Sequence, residues 1–183
     1  VNPKKQEVQG LKSYSSPAEL PDVELAIIAI AAKYCLETID ILANQKNTKA
    51  FIILSAGFSE ESEEGAELEK KIVDIVNNVN GSLIGPNCVG FMNSNYHGVF
   101  TTPIPKLDNM GIDFVTGSGA TAVFIMEASI PKGLTFGSIY SVGNSAQIGV
   151  EEVIKYWDET YIPGKSSPYK MIYIESIDKP DLL

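Results

Sequence analysis

One histidine, two cysteines and fourteen basic residues are a small stock of reactive and cationic side chains for 183 residues. Cys35 and Cys88 have no spacing to further Cys or His that would frame a zinc site or a disulfide scaffold, so both read as free thiols and no metal site is expected. The lone histidine, His97, falls in a polar stretch, where an imidazole is more often a solvated surface group than a general base. The basic residues are outnumbered by 23 acids, which gives a formal net charge of -9 and a pI near 4.6. The field of such a chain repels phosphate polymers and excludes a general affinity for nucleic acid or anionic membranes. Any phosphate must therefore be held by local groups. No apolar run reaches the roughly 20 residues of a membrane helix, and no basic start with an apolar stretch and small-residue cleavage site marks a secretory signal. A cytoplasmic protein is expected.

With 44% hydrophobic and 20% charged residues, the chain has the composition of an ordinary folded protein, at a length near the border between one domain and two. Residues 25–30 (LAIIAI) and 50–54 (AFIIL) are almost wholly apolar, the pattern of central parallel strands covered on both faces. Between them Leu36, Ile39, Ile41 and Leu42 fall at helical spacing over 35–45, completing a β-α-β unit. Acids at 60–64 precede Leu68, Ile72, Ile75, Val76 and Val79, a helix with negative charge at the positive end of its dipole. Residues 82–84 read as a short strand running into the glycine-framed turn GPNCVG at 85–90. From 93 to 110 the composition is polar and without period, which divides the chain into domains at 1–93 and 111–183 with a linker at 94–110. Alternation then resumes, with strands at 112–115, 136–142 and 171–175, the last read as buried. A buried helix is expected over 120–129, and a second helix carries Val150, Val153, Ile154 and Trp157 on one side. The chain opens on what reads as the end of a strand (VNPKK) and closes shortly after MIYIE, so further chain is expected on both sides.

Residues 116–121 (TGSGAT) lie between a predicted strand and a predicted helix. Glycines there allow close backbone approach, amides at a helix start can hold an anion, and the hydroxyls of Thr116, Ser118 and Thr121 could donate to it. A tight turn that needs glycine only for packing would use the same residues, and both readings stay open. No lysine follows as in a P-loop, and Thr116 and Ala120 stand where the nucleophile elbow G-x-S-x-G needs glycine, so a Walker site and a serine hydrolase are both disfavoured. The loops AAKY at 31–34 and SAGF at 55–58 follow predicted strands, at the carboxyl ends where open α/β sheets bind their ligands. Glu175 ends an apolar strand. An unpaired buried carboxylate is expensive, so an exposed place at the sheet edge is expected for it. Lys4 and Lys5 form a basic pair near a first-strand loop and could neutralise a phosphate, although surface lysines are far more often simply solvated.

Taken in order, VNPK at 1–4, SAGF at 55–58, GPNCVG at 85–90, TGSGAT at 116–121, SVGN at 141–144 and YIES at 173–176 resemble the NDP-forming acyl-CoA synthetases, the succinyl-CoA synthetase-like family, over essentially the whole chain. The resemblance implies an α/β fold: a truncated Rossmann-like CoA-binding domain followed by a partial flavodoxin-like ligase domain, parallel sheets with helices on both faces. The first strand and its glycine-rich turn would precede Val1. It also implies an acid-thiol ligase that interconverts acyl-CoA, NDP and phosphate with carboxylic acid, CoA and NTP, through an acyl phosphate and a phosphohistidine. Position by position, Lys4 or Lys5 matches a lysine that meets a CoA phosphate. Ile30, Ala31, Ala32 and Lys33 match one loop along CoA, Ser55, Ala56, Gly57 and Phe58 the next, and Asn87 and Cys88 the loop near the CoA thiol. Thr116, Gly117, Ser118 and Gly119 match the helix start that receives the phosphate of the phosphohistidine. Glu175 matches the acid that contacts that histidine, and with Thr116 and Ser118 makes up the expected catalytic set. Thr116 and Gly117 replace a usual Ser-Gln or Ser-Arg pair, and Ala31 replaces a common proline. His97 does not occupy the place of the phosphohistidine, which would follow Leu183.

The partners so implied are CoA, a small carboxylic acid and an ATP-grasp domain or subunit that binds Mg-ATP/ADP or GTP/GDP outside this chain, in an oligomeric protein. No metal, nucleic-acid or membrane partner is expected, and the chain alone should be inactive. The competing reading is a non-catalytic CoA-binding or regulatory module, which would use the first domain alike but have no need of residues 116–119 or Glu175. A dinucleotide-dependent oxidoreductase is disfavoured, because VNPK offers lysine at the strand end where that fold needs an acid.

Overall fold

Turn chemistry sets the first element. Gln9 and Gly10 both take positive φ, 51° and 78°, and close a two-residue hairpin between β1 (Glu7–Val8) and β2 (Leu11–Lys12). A computed structural model, which describes residues 1–183, continues from there as two α/β lobes. In the first, β3 (Leu25–Ile28), α1 (Cys35–Gln45), β4 (Ala50–Ile53), α2 (Glu63–Asn78) and β5 (Ser82–Ile84) form a three-stranded parallel sheet in the order β3-β4-β5. Alternation along each strand sends Ala26, Ile28, Phe51, Ile53 and Leu83 to one side, where Ile39 and Leu42 of α1 and Ile72 and Val76 of α2 cover them. Ser62 caps α2, its hydroxyl accepting the Gly65 amide at 3.0 Å, and Glu63 and Glu64 occupy the first turn. Gly65 is required there, since a Cβ would lie 2.1 Å from the Phe58 carbonyl oxygen.

β4 is covered on both faces as its apolar run implies, but β3 is not. Ile27 is 53% exposed, because β3 is the edge of its sheet and nothing lies over that face. The same correction applies to the strand expected to be buried near the end of the chain. It forms as β10 (Lys170–Tyr173), an edge strand on which Ile172 and Tyr173 are exposed.

The second lobe is a mixed sheet. β8 (Leu107–Thr116), β9 (Phe136–Ser141) and β10 run parallel in the order β10-β8-β9, and the antiparallel pair β6 (Gly90–Met92) and β7 (His97–Val99) adds to the far side of β9. The stretch read as a linker is therefore not free chain: β7 lies within it, and β6, which follows the GPNCVG turn, already belongs to the second sheet. Successive residues of β8 face opposite layers. Phe114 packs with Ala122 and Met126 of α3 (Gly119–Ser129), while Val115 packs with Val150, Val153 and Trp157 of α4 (Val150–Glu159). α3 buries only its sheet side. Phe124, expected within a buried helix, is 70% exposed because no element lies over the outer face.

The lobes are joined through the free edge of β5. Residues 144–148 run along it, the amides of Asn144, Ala146 and Ile148 donating to the carbonyls of Pro86, Gly85 and Leu83 at 3.0, 3.3 and 3.3 Å. The Gln147 side chain completes the seam. Its oxygen accepts the Leu83 amide at 2.6 Å, and its nitrogen donates to the Asn77 side chain at 2.6 Å and to the Gly81 carbonyl at 3.3 Å. Gly143, at φ 59°, permits the close approach: a Cβ there would sit 2.0 Å from the Pro86 oxygen. Replacing Gln147 by Leu strands the Leu83 amide and is expected to destabilise the chain by about 1–3 kcal/mol. A urea midpoint equal to that of the unaltered protein would show that this amide does not hold the lobes together.

Candidate functional site

The seam gathers the carboxyl ends of strands from both sheets around one cleft of about 610 Å³. Its first wall comes from β5. Gly85 takes φ 96°, where a Cβ would meet the Ile53 oxygen at 2.4 Å, and Asn87 takes φ 57°, so that the turn doubles back and presents Asn87 and Cys88 to the cleft. The second wall is the turn from β8 into α3. Thr116 is fully buried, and its hydroxyl accepts the Ser118 amide at 2.9 Å and donates to the Ser118 carbonyl at 3.1 Å. It fixes the turn and does not reach the cleft. Ser118 caps α3 by accepting the Thr121 amide at 3.3 Å, which leaves the amides of Gly119 and Ala120 without partners in the chain, on residues that line the cleft. Thr121, whose hydroxyl was a candidate donor, lies outside the lining.

The third wall is the loop after β10. Glu175 lies at the exposed edge, its side chain free of hydrogen bonds and ion pairs, and its carboxylate oxygen would be 3.7 Å from a Cβ built on Gly117. The Gly143 carbonyl lies at the same 3.7 Å from that point. Gly117 thus leaves open a space between Glu175 and Gly143 that any other residue would enter. No lysine lines the cleft, and the fourteen basic residues of the chain are all lysines, so no guanidinium fork is available anywhere in it. Among the groups in the cleft that can meet an anion are the helix-start amides and the Ser118 hydroxyl.

Asn144, quoted in a motif but given no role, proves central to the cleft. Its side-chain nitrogen donates to Ser59 at 3.1 Å, to Glu69 at 3.0 Å and to Glu60, and its oxygen accepts from Asn87 at 3.3 Å. Glu60 also accepts the Gly57 and Phe58 amides at 2.6 and 3.3 Å. Burial acts to raise its carboxyl, but the Asn144 amide and these backbone amides prevail and hold it below the usual carboxylate range. No signal in the sequence singled out Glu60, because its partner is 84 residues away.

The loops expected along CoA are brought together in part. Ser55 donates to the Ile30 carbonyl at 2.5 Å, the Asn87 amide donates to the Ser55 carbonyl at 2.9 Å, and Gly57 sits so close to Ala32 that a Cβ on it would lie 3.2 Å from the alanine methyl. Ile30 and Ala31 are exposed beside them, as is Ala56, and Lys33 stands exposed over the Tyr34 ring at 5.0 Å. Phe58 is a core residue. Lys4 and Lys5 are exposed on the N-terminal turn, and neither side chain makes a hydrogen bond or ion pair. His97 lies exposed on β7, opposite Met92 and outside the cleft lining. No group of three or more His, Cys, Asp or Glu side chains is placed to hold a metal, and no helix is long and apolar enough to cross a membrane.

Residues 1–94 match the family model of a CoA binding domain, and residues 109–183 match that of the succinyl-CoA ligase like flavodoxin domain. The chain is 36% identical over 180 residues to the alpha subunit of the ADP-forming acetate–CoA ligase II of Pyrococcus furiosus, covering 97% of the chain and 38% of that subunit. It is 31% identical over 160 residues to the ADP-forming 4-hydroxybutyrate–CoA ligase of Nitrosopumilus maritimus, covering 85% of the chain and 22% of that enzyme. A crystal structure of a protein from Pyrococcus horikoshii OT3 superposes with a TM-score of 0.86 at 32% identity, over all of the chain and 41% of its own. The apo form of acetyl-coenzyme A synthetase 1 from Ca. Korarchaeum cryptofilum superposes with a TM-score of 0.84 at 25% identity, over 99% of the chain and 38% of its own. The chain thus spans well under half the length of each of these relatives.

Burial pushes the thiols of Cys35 and Cys88 up to about 11, and Cys88, 2% exposed, donates to the Ile53 carbonyl at 3.3 Å. Only about one thiol in a thousand is then a thiolate at pH 8, where a free cysteine is about a quarter ionised. Iodoacetamide at pH 8 should label the folded protein at least about a hundredfold more slowly than the urea-unfolded one. Labelling of Cys88 at the unfolded rate would mean that a thiolate is available in the cleft.

Proposed function

Because the chain belongs to the family of CoA-binding domains and continues over 109–183 as a succinyl-CoA ligase like flavodoxin domain, we propose that it supplies the CoA-binding and phosphate-handling part of an NDP-forming acyl-CoA synthetase. In the whole protein, acyl-CoA and phosphate exchange to acyl phosphate and CoA. The acyl phosphate then gives its phosphoryl group to a histidine outside this chain, releasing the carboxylate, and the phosphohistidine passes it to Mg-ADP or Mg-GDP on an ATP-grasp domain or subunit, in an oligomeric, cytoplasmic enzyme. The observation that carries this reading is the sharing of one cleft: the Asn87–Cys88 turn, which follows the expected CoA loops, opens onto the same space as the Ser118–Ala120 helix start and Glu175.

CoA supplies the thiol that exchanges with phosphate at an acyl carbonyl. The loops after β3, β4 and β5 fit such a ligand in that Ser55 and Asn87 link all three into one continuous ledge, and Gly57 lets the first two touch. The amides of Gly119 and Ala120 and the Ser118 hydroxyl stabilise anionic oxygens without drawing on the net charge of the chain. Glu175, exposed at the cleft and without a partner in the chain, accepts the N–H of an incoming imidazole ring and orients it as it takes or gives the phosphoryl group. Cys88, neutral and buried, helps to wall the cleft and takes no covalent part.

The full-length protein is incubated with Mg and radiolabelled ATP or GTP, and protein-bound label is tested for acid lability, base stability and discharge by CoA with candidate acids. Label that forms and discharges supports the reading, and Glu175→Gln is expected to slow its formation by about a hundredfold or more. Ser118→Ala should slow it as well, and also weaken the α3 cap by about 1 kcal/mol. Protein that binds CoA but takes no label from either nucleotide is a non-catalytic CoA-binding module.

A further inference from the structure

Glu151 is a carboxylate buried to 3% exposure in an acidic chain, at the first turn of α4, and the reaction has no use for it directly. Burying a charge is costly unless it is fully hydrogen-bonded, so its partners define its task. One oxygen accepts two backbone amides, that of Asp178 at 2.7 Å and that of Lys179 at 3.0 Å. Burial acts to raise the carboxyl, but these amides, its own, and the Lys179 charge prevail and keep it below the usual range, ionised at neutral pH. The neighbouring Glu152 accepts the Lys179 ammonium, which also donates to the Gln147 carbonyl at 2.6 Å, on the segment that seams the two lobes.

The segment held in this way carries Glu175. On its other side the last backbone bond is from the Gly117 amide to the Tyr173 carbonyl, at 3.3 Å. Between these anchors the four residues 174–177 make no hydrogen bond through backbone or side chain, are all exposed, and place Glu175 and Ser176 at the cleft. A loop with one end in an edge strand and no internal bonds is positioned by its second anchor.

We infer that Glu151 is a positioning residue, which sets Glu175 against the helix start of α3 by clamping the backbone of Asp178 and Lys179. This rests on the proposed role of Glu175 in phosphoryl transfer. In the full-length protein, Glu151→Ala is expected to slow formation of the phosphoenzyme label by about ten- to a hundredfold. The KM for CoA should stay within about twofold. Glu151→Gln, which keeps the accepting oxygen, should recover part of the rate. Amide hydrogen exchange should speed up over 174–179 in Glu151→Ala while β8 and β9 stay protected, and Glu151→Ala combined with Glu175→Gln should be no slower than Glu175→Gln alone. A folded Glu151→Ala protein with the unaltered labelling rate overturns the inference, as does unaltered exchange over 174–179 or a loss that adds to that of Glu175→Gln. Should Glu151→Ala fail to fold, Glu151→Met, similar in size and without an accepting oxygen, is compared in the same two measurements, and unaltered exchange and rate there count against the clamp. A Glu175→Gln protein that labels at the unaltered rate overturns the role of Glu175 instead, and the exchange data then accept or reject the clamp by themselves.

Discussion

Three amides meeting the carbonyls of Leu83 on β5 and of Gly85 and Pro86 in the turn after it hold the whole arrangement in place. The segment 144–148 uses the edge of β5 as a strand would, and the Gln147 side chain takes up the Leu83 amide that the segment itself leaves over. Unpaired sheet edges invite uncontrolled pairing and are usually covered or blunted. Here the cover is the loop that follows β9, so that closing the edge of one sheet also fixes the position of the other. The direct approach of Gly143 to Pro86 allows the two lobes to close to this distance. Every wall of the cleft is referred to this seam: the GPNCVG turn leaves from β5, Asn144 reaches from the seam to Ser59, Glu60 and Glu69, and Lys179 ties the loop of Glu175 to the Gln147 carbonyl.

The electrostatics of the cleft follow from a chain with net charge -9 and no arginine. Two carboxylates, Glu60 and Glu175, line the space, and no cationic side chain does. Binding of an anion there draws on oriented backbone dipoles together with neutral side-chain donors such as the Ser118 hydroxyl. The backbone dipoles are short-ranged and insensitive to the overall charge, and unlike a lysine they need no side-chain ordering when the ligand arrives. The carboxylates have separate work. Glu60 is spent on the Gly57 and Phe58 amides and on Asn144, which shapes the loop, whereas the Glu175 side chain makes no hydrogen bond or ion pair within the chain.

The relatives bear out the resemblance to NDP-forming acyl-CoA synthetases drawn from six short motifs, and the two matching family models bear out the order of a CoA-binding and a flavodoxin-like ligase domain. Four of the motifs, SAGF, GPNCVG, TGSGAT and SVGN, are turns at strand ends, where glycine, proline and asparagine are dictated by backbone geometry. Gly85 and Asn87 stand at positive φ within GPNC, and Gly143 does so within SVGN. Exposure of strands was less legible. A run such as LAIIAI or MIYIE has the composition of a central strand, yet β3 and β10 are edges, because composition reports what a strand can bury and not what lies beside it.

By itself the sequence determined the helices and most strands, through periodicity that is local. Helix α1 runs over the residues its apolar spacing indicates, and β5 is the three residues SLI. It also located the tight turns at strand ends, since glycine and cap residues declare themselves within a few positions. Only the tertiary structure decided which candidates face the cleft. Thr116 and Ser118 look alike in the sequence, but one hydroxyl is consumed inside the turn while the other sits at the cleft. Asn144, Glu60 and Glu151 find partners 27 to 85 residues away, on elements whose meeting depends on the seam at β5. Hydrogen bonds across such separations leave no periodic trace in the chain, because they are fixed by how sheets dock and not by the spacing of residues along a strand or helix.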